Sequence, residues 1–156
     1  MQVETTVNGA AVTVDAEPLT TAVEVLRGLE LFSVRETCAL GVCGTCTILL
    51  DGTAVSACLT PAFRLDGASV ITVEGLAEGL HPIQQAFVDE NAFQCSFCTP
   101  GFVLGATALL DAVGEIRRDD VEAYLGGHLC RCGSYENIVR AVKRSALAAG
   151  KVWLAD

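Results

Sequence analysis

Basic residues are scarce in this chain: ten Lys and Arg stand against nineteen Asp and Glu, a net charge of −9 over 156 residues. That imbalance argues against the two partners that demand a positive surface, nucleic acid and anionic membrane. The start, Met1-Gln2-Val3-Glu4, lacks the basic and apolar regions of a secretion signal. The pair Arg117-Arg118 is internal, so no twin-Arg export signal is expected either. Long apolar runs are missing too. The most apolar stretch, around Gly101 to Leu110, stops at Asp111, too short to span a bilayer, and no membrane insertion is expected. The expected compartment is the cytoplasm. The chain shows no internal repeat and no low-complexity tract. No Ser/His/Asp or paired-carboxylate constellation asks for a catalytic role of its own. Met1 and Trp153 carry no evident chemistry. His81 and His128 are possible ligands, but the cysteines supply enough thiolates without them: His81 reads as a boundary residue and His128 as an ordinary loop residue beside the site around Cys130.

What the chain does have is apolar mass and thiols. Half of it, 51%, is apolar, enough for a real core in one domain or two small ones. Eight cysteines need a reason. An even number permits disulfides, but a reducing compartment and an ample apolar core both weaken that reading and favour metal ligation.

The cysteines fall into two sets. Cys95-Ser96-Phe97-Cys98 stands immediately before an expected helix: Thr99 can cap, Pro100 suits the first helical position, and Phe102 to Val113 is apolar-rich. Cys130-Arg131-Cys132 repeats the arrangement, since Ser134 can cap the helical run Tyr135 to Ala149. Two pairs at two helix starts make a four-thiolate site, and the positive ends of the helix dipoles favour anionic sulfur there. By spacing alone this set leaves zinc open beside iron–sulfur. The other set, Cys38, Cys43 and Cys46, has the spacing C-x4-C-x2-C, with Cys58 eleven residues further on. That spacing belongs to plant-type [2Fe–2S] loops, whereas zinc ribbons usually carry two short knuckles. Gly41 and Gly44 allow positive φ and let backbone N–H groups approach the sulfurs.

The rest of the chain frames these sets. Gln2 to Val7 and Ala11 to Asp15 alternate around Asn8-Gly9, a strong hairpin signal. Thr21 to Glu24 reads as a capping box for a short helix to about Gly28 that covers the sheet. Thr47 to Leu50 and Thr53 to Ala57 read as strands joined at Asp51-Gly52. A two-residue turn there returns Cys58 opposite Thr45, beside Cys46. Ser69 to Val73 reads as a further strand, and the Gly-rich Glu74 to Pro82 holds a domain boundary. Beyond it the pattern turns helical: Ile83, Ala86, Phe87 and Glu90 share a face, and Asp119 to Glu122 opens a helix ending near Gly126-Gly127. The expected fold class is α+β, with four helices in a bundle holding the second cysteine set between their ends.

Nearly end to end, these residues resemble the small iron–sulfur subunit of the molybdenum hydroxylases, the xanthine dehydrogenase and carbon monoxide dehydrogenase family. The likeness rests on Cys38 to Cys46, Cys58, Glu74-Gly75-Leu76, His81 to Phe87, Gln94 to Gly101, and Leu129 to Cys132 with Tyr135 and Ile138. It implies a ferredoxin-like β-grasp domain over residues 1–76 and a helical [2Fe–2S]-binding domain over 77–156. By similarity, Cys38, Cys43, Cys46 and Cys58 hold an outer [2Fe–2S] cluster facing a medium FAD subunit. Cys95, Cys98, Cys130 and Cys132 hold an inner one facing the molybdenum-pterin cofactor of a large subunit, with Gln94 and Cys132 at positions that contact the pterin. The implied assembly is a dimer of heterotrimers. Three departures from the family pattern stand out: Ser96 is usually Gly, His128 usually Asn, and Gly133-Ser134 usually Thr-Gly. None removes a ligand. The implied role is electron transfer, one electron at a time, from molybdenum to FAD, with substrate bound in another chain. The alternatives are a free ferredoxin-type carrier, which the first domain alone and its acidity would suit, and a zinc-binding interaction module.

Overall fold

The computed structural model describes residues 1–154, so the last two residues of the expected second domain lie outside it. The N-terminal hairpin forms as its turn chemistry dictates. β1 (Gln2–Val7) pairs antiparallel with β2 (Ala10–Asp15), Val7 opposite Ala10, and Asn8 and Gly9 take φ of 51° and 83°. Alternate residues Val3, Thr5 and Val7 point inward. α1 (Ala22–Gly28) opens on the expected capping box, in which Thr21 Oγ1 accepts from the Glu24 N–H and the Glu24 carboxylate accepts from Thr21.

β3 (Thr47–Leu50) and β4 (Thr53–Ser56) turn at Asp51-Gly52 in the expected register, Leu50 opposite Thr53 and Thr47 opposite Ser56. The ladder ends there. Ala57–Leu59 coils into a single 3₁₀ turn, so Cys58 does not face Thr45; it reaches the loop because the Ala57 N–H donates to the Cys46 carbonyl at 3.2 Å. β5 is shorter than expected, Ser69–Ile71, and gives way to a 3₁₀ turn at Val73–Gly75. It lies in the middle of the five-stranded sheet β2-β1-β5-β3-β4, parallel to β1 and antiparallel to β3. Under this sheet α1 contributes Val23 and Leu26 to a core with Val3, Ile48, Leu65 and Val70.

Four helices follow: α2 (Pro82–Asp89), α3 (Thr99–Ala112), α4 (Arg118–Leu125) and α5 (Tyr135–Ala148). They share a second core built on Ile83, Phe87, Phe102, Ile116, Val121 and Val142. His81 is more than a boundary residue, since its Nδ1 accepts from the Ile83 N–H at the start of α2. α3 begins one residue earlier than expected. Cys98 occupies the cap position, Thr99 is already helical, and Thr99 makes no cap. Every residue from Gly101 to Leu110 is buried, because α3 packs on its sister helices and also on the sheet, where Leu104 and Ala108 meet Leu49. α4 starts at Arg118, with the Asp120 carboxylate accepting from the Arg117 N–H. A short parallel pair, β6 (Glu115–Ile116) with β7 (Val152–Trp153), ties the C-terminal end back to the helices. Trp153 thus has a structural place, packed against the helical core. No helix among the described residues is long and apolar enough to cross a membrane.

Candidate functional site: two sets of four thiols

The fold gathers the eight cysteines into two sets, and none is in a disulfide. In the first, the loop between α1 and β3 carries Cys38, Cys43 and Cys46, and the 3₁₀ turn after β4 brings Cys58. Positive φ falls on Ala39, Gly41 and Gly44 at 53°, 71° and 69°, which curls the loop around its sulfurs. The Leu40 N–H points at Cys38 Sγ from 3.4 Å. That amide, with those of Val42 and Cys43 and the Cys43 thiol, holds the Cys38 thiol down to about 6. Cys46 is pushed up to about 12, chiefly by burial and further by the thiols of Cys58 and Cys43. Cys43, Cys46 and Cys58 are buried; Cys38 is half-buried.

In the second set, Cys95 and Cys98 precede α3, and Cys130 and Cys132 precede α5. Cys132 Sγ and Cys95 Sγ stand 3.5 Å apart. The Phe97 amide and the Cys132 thiol hold Cys95 below its ordinary range. Burial and the Cys130 thiol push Cys98 up to about 12. Cys130 is also buried, yet its thiol falls below the ordinary value because the Ser134 N–H, 3.4 Å from Sγ, and the Cys98 thiol outweigh burial. Ser134 does stand at the cap position of α5, but its side chain makes no capping bond; its amide turns to the sulfur instead.

Both sets share one pattern. The thiols associate in twos: Cys38 with Cys43 and Cys46 with Cys58, then Cys95 with Cys132 and Cys98 with Cys130. Among the described residues no three Cys, His, Asp or Glu side chains close on one point as a cage for a single ion. Four soft donors arranged as two pairs, with main-chain N–H groups turned toward sulfur, suit a group of two metal ions carrying net negative charge.

The remaining expected site residue, Gln94, is exposed, and its Nε2 donates to the Cys132 carbonyl at 3.3 Å. Two residues that the sequence did not single out for the site join the sets. Arg35 reaches from the first loop to the carbonyls of Ser96 and Phe97 in the second. His128, read as an ordinary loop residue, is instead wedged between the sets, with Nε2 3.0 Å from Thr47 Oγ1. Nothing in the spacing announced either one; each is a contact between segments more than sixty residues apart.

Two family models match: a 2Fe-2S iron-sulfur cluster binding domain over residues 5–94 and a [2Fe-2S] binding domain over residues 72–143. The chain is 44% identical over 144 residues to the small subunit of nicotine 6-hydroxylase from Paenarthrobacter nicotinovorans, covering 91% of this chain and 87% of that one. It is 42% identical over 149 residues to the iron-sulfur-binding subunit of xanthine dehydrogenase from Escherichia coli O157:H7, covering 90% and 91%. Its fold superposes on a chain of quinoline 2-oxidoreductase from Pseudomonas putida 86 with a TM-score of 0.90, 38% identity and 96% of both chains covered.

Proposed function

The chain belongs to the iron–sulfur subunits of the molybdenum hydroxylases, the electron-carrying parts of oxidoreductase complexes, and from that membership we propose that it holds two [2Fe–2S] clusters in series. Cys38, Cys43, Cys46 and Cys58 hold the first, in a β-grasp domain over residues 1–76. Cys95, Cys98, Cys130 and Cys132 hold the second, in a four-helix bundle over 77–156. The observation that carries this reading is the pairing of thiols two and two in each set. Each iron of a [2Fe–2S] cluster takes two protein ligands, whereas a structural zinc asks for four about one point.

When bound, each [2Fe–2S] group supplies a one-electron redox centre, and two in series divide a two-electron oxidation into single steps. The chain's own residues tune and insulate them. Main-chain N–H groups of Leu40 and Ser134 offset negative charge at Cys38 and Cys130, and burial of Cys46, Cys58 and Cys130 keeps water off the sulfurs. The partners are a large subunit with the molybdenum-pterin cofactor, met by Gln94 and Cys132, and a medium subunit with FAD, met by the loop around Cys38. They assemble as a dimer of heterotrimers in the cytoplasm, where thiols without disulfides persist. Cys95 and Phe97 at the surface of the second set suit a permanent partner, through an interface of obligate type above about 2,000 Å².

The test is iron and sulfide analysis with EPR of the reduced, anaerobically purified complex. Two distinguishable [2Fe–2S] signals are expected, and Cys43→Ser removes one and leaves the other. Zinc without a paramagnetic signal overturns the reading. A chain that purifies as a monomer, fully active as a carrier and indifferent to any large subunit, favours a free ferredoxin-type carrier.

A further inference from the structure

His128 sits two residues before Cys130, in the turn after α4, where its N–H donates to the Leu125 carbonyl at 2.9 Å. Its ring occupies a slot that two glycines, Gly44 and Gly105, leave open, and a third, Gly101, lets α3 come close to the first loop. A Cβ on Gly44 would come within 2.5 Å of His128 Cδ2, and one on Gly105 within 3.0 Å of Cε1. A Cβ on Gly101 would stand 2.1 Å from the Gly44 carbonyl oxygen. Gly44 lies between Cys43 and Cys46; Gly101 and Gly105 lie on the first turns of α3, just after Cys98. The ring is therefore packed against the backbone that carries each cysteine set, at a separation no larger residue would permit.

Hydrogen bonding fixes the ring's orientation. Thr47 Oγ1 donates its one proton to the Gly44 carbonyl at 2.8 Å. His128 Nε2 stands 3.0 Å from the same oxygen and pairs with it, while Nδ1 is buried without a partner among the described residues. Phe102 of α3 packs on the ring at 5.2 Å between centroids. One residue further on, the Leu129 N–H donates to the Cys43 carbonyl at 3.0 Å. His128 thus joins the start of β3, the loop of the first set, α3 and the loop of the second set through one rigid ring.

We propose that His128 is the positioning residue that sets the distance and mutual orientation of the two four-cysteine sets. This rests on the two-cluster reading above. Removing the ring leaves the slot empty and frees Thr47, so the loop holding Cys43 and Cys46 can shift against α3 while each set keeps its own four thiols. The effect falls on the coupling between centres rather than on their presence.

The experiment uses the assembled complex, reduced so that both centres are paramagnetic, with low-temperature EPR reading the splitting that each centre imposes on the other. His128→Ala is expected to retain both signals and lose or shift that splitting, and to slow flavin reduction after substrate. His128→Gln places an amide nitrogen near Nε2 and restores the splitting. Thr47→Val removes the ring's hydrogen-bond partner, together with the Thr47 hydroxyl bond to the Gly44 carbonyl, and is expected to shift the splitting in the same direction as His128→Ala, so the proposal stays testable if the alanine variant does not fold. Both signals present with an unchanged splitting in His128→Ala and Thr47→Val, whatever their melting temperatures, overturns the proposal and leaves the two-cluster reading standing. A parent complex without two signals overturns both.

Discussion

The guanidinium of Arg35 lies 4.8 Å from the ring centroid of Phe97 while donating to the carbonyls of Ser96 and Phe97, so a residue three before Cys38 clamps the loop between Cys95 and Cys98. The loop is exposed. Arg35→Ala is expected to leave the first centre intact and to speed loss of the second under a chelator, followed as the decay of its EPR signal. An exposed cation–π contact with its hydrogen bonds is worth about 1–2 kcal/mol, a fall of roughly 2–6 °C in the melting temperature. Arg35→Lys recovers only part, since an ammonium lacks the flat guanidinium face that stacks on the Phe97 ring. Equal decay of the second signal in parent and alanine variant would remove Arg35 from the site.

Ser96, in the same loop, holds φ at 62°, in the left-handed region where a Cβ crowds the following carbonyl. Its carbonyl serves Arg35, and glycine would keep that carbonyl. Ser96→Gly is therefore expected to stabilise the protein by about 1 kcal/mol, raising the melting temperature by roughly 2–4 °C, with both clusters retained. Ser96→Ala keeps the crowding and gains nothing. A glycine variant no more stable than the alanine one refutes the argument.

Local chemistry was legible in the sequence; contacts across it were not. Asn8-Gly9 and Asp51-Gly52 announced two hairpins with their registers, because φ above zero at both central residues admits few other residues and forces one pairing. The thiol sets were legible for a similar reason: C-x4-C-x2-C is one loop, and Cys95-x2-Cys98 ends where a helix begins. The misses are tertiary. Thr99 looked like a cap, but the chain enters α3 one residue earlier, at Cys98, so Thr99 has no role at the end of the helix. β7 was invisible because two residues carry no periodicity, and it is pairing with Glu115 and Ile116 across the ladder that makes Val152 and Trp153 a strand. His128 looked bland for the same reason. Its role depends on Gly44, more than eighty residues upstream, having no side chain.

Glu74 ties the linker to the start of the first loop: its carboxylate accepts from the Ser33 hydroxyl and N–H and from the Thr72 hydroxyl. Partial burial works to raise its pKa, but those donors prevail and hold it below the ordinary 4.5. A carboxylate depressed in the folded state contributes stability above its unfolded value, and loses it as pH falls through the folded one. Against Glu74→Gln, the parent is thus expected to be more stable at pH 6 to 7 by about 1 kcal/mol, discounted for partial exposure, and the difference is expected to shrink as the pH falls below 4.5. Melting temperatures of the two proteins across that range check it. Because acid destroys iron–sulfur centres in both, only the difference between them bears on Glu74. A difference that grows toward acid would reverse the sign and discard the assignment.

Gln94 is exposed beside Cys95, and its Nε2 donates to the Cys132 carbonyl at 3.3 Å, joining the two short segments that supply the second set. In the proposed complex this is the face turned to the pterin. Two effects of Gln94→Ala are separable. If Gln94 only braces the Cys132 loop, its loss loosens that loop, and chelator resistance falls with no effect on the first electron step. If its amide also meets the large subunit's cofactor, the first step slows while the cluster stays. The second outcome is expected, because one neutral hydrogen bond at an exposed position is a weak brace, worth about 1 kcal/mol. Stopped-flow bleaching of the visible bands, after mixing the assembled complex with its substrate, should slow by roughly fivefold to tenfold, the rate equivalent of one such bond. Both EPR signals and the association with the large subunit should persist. Unchanged bleaching with faster chelation would confine Gln94 to the brace and take the molybdenum-facing role away from it.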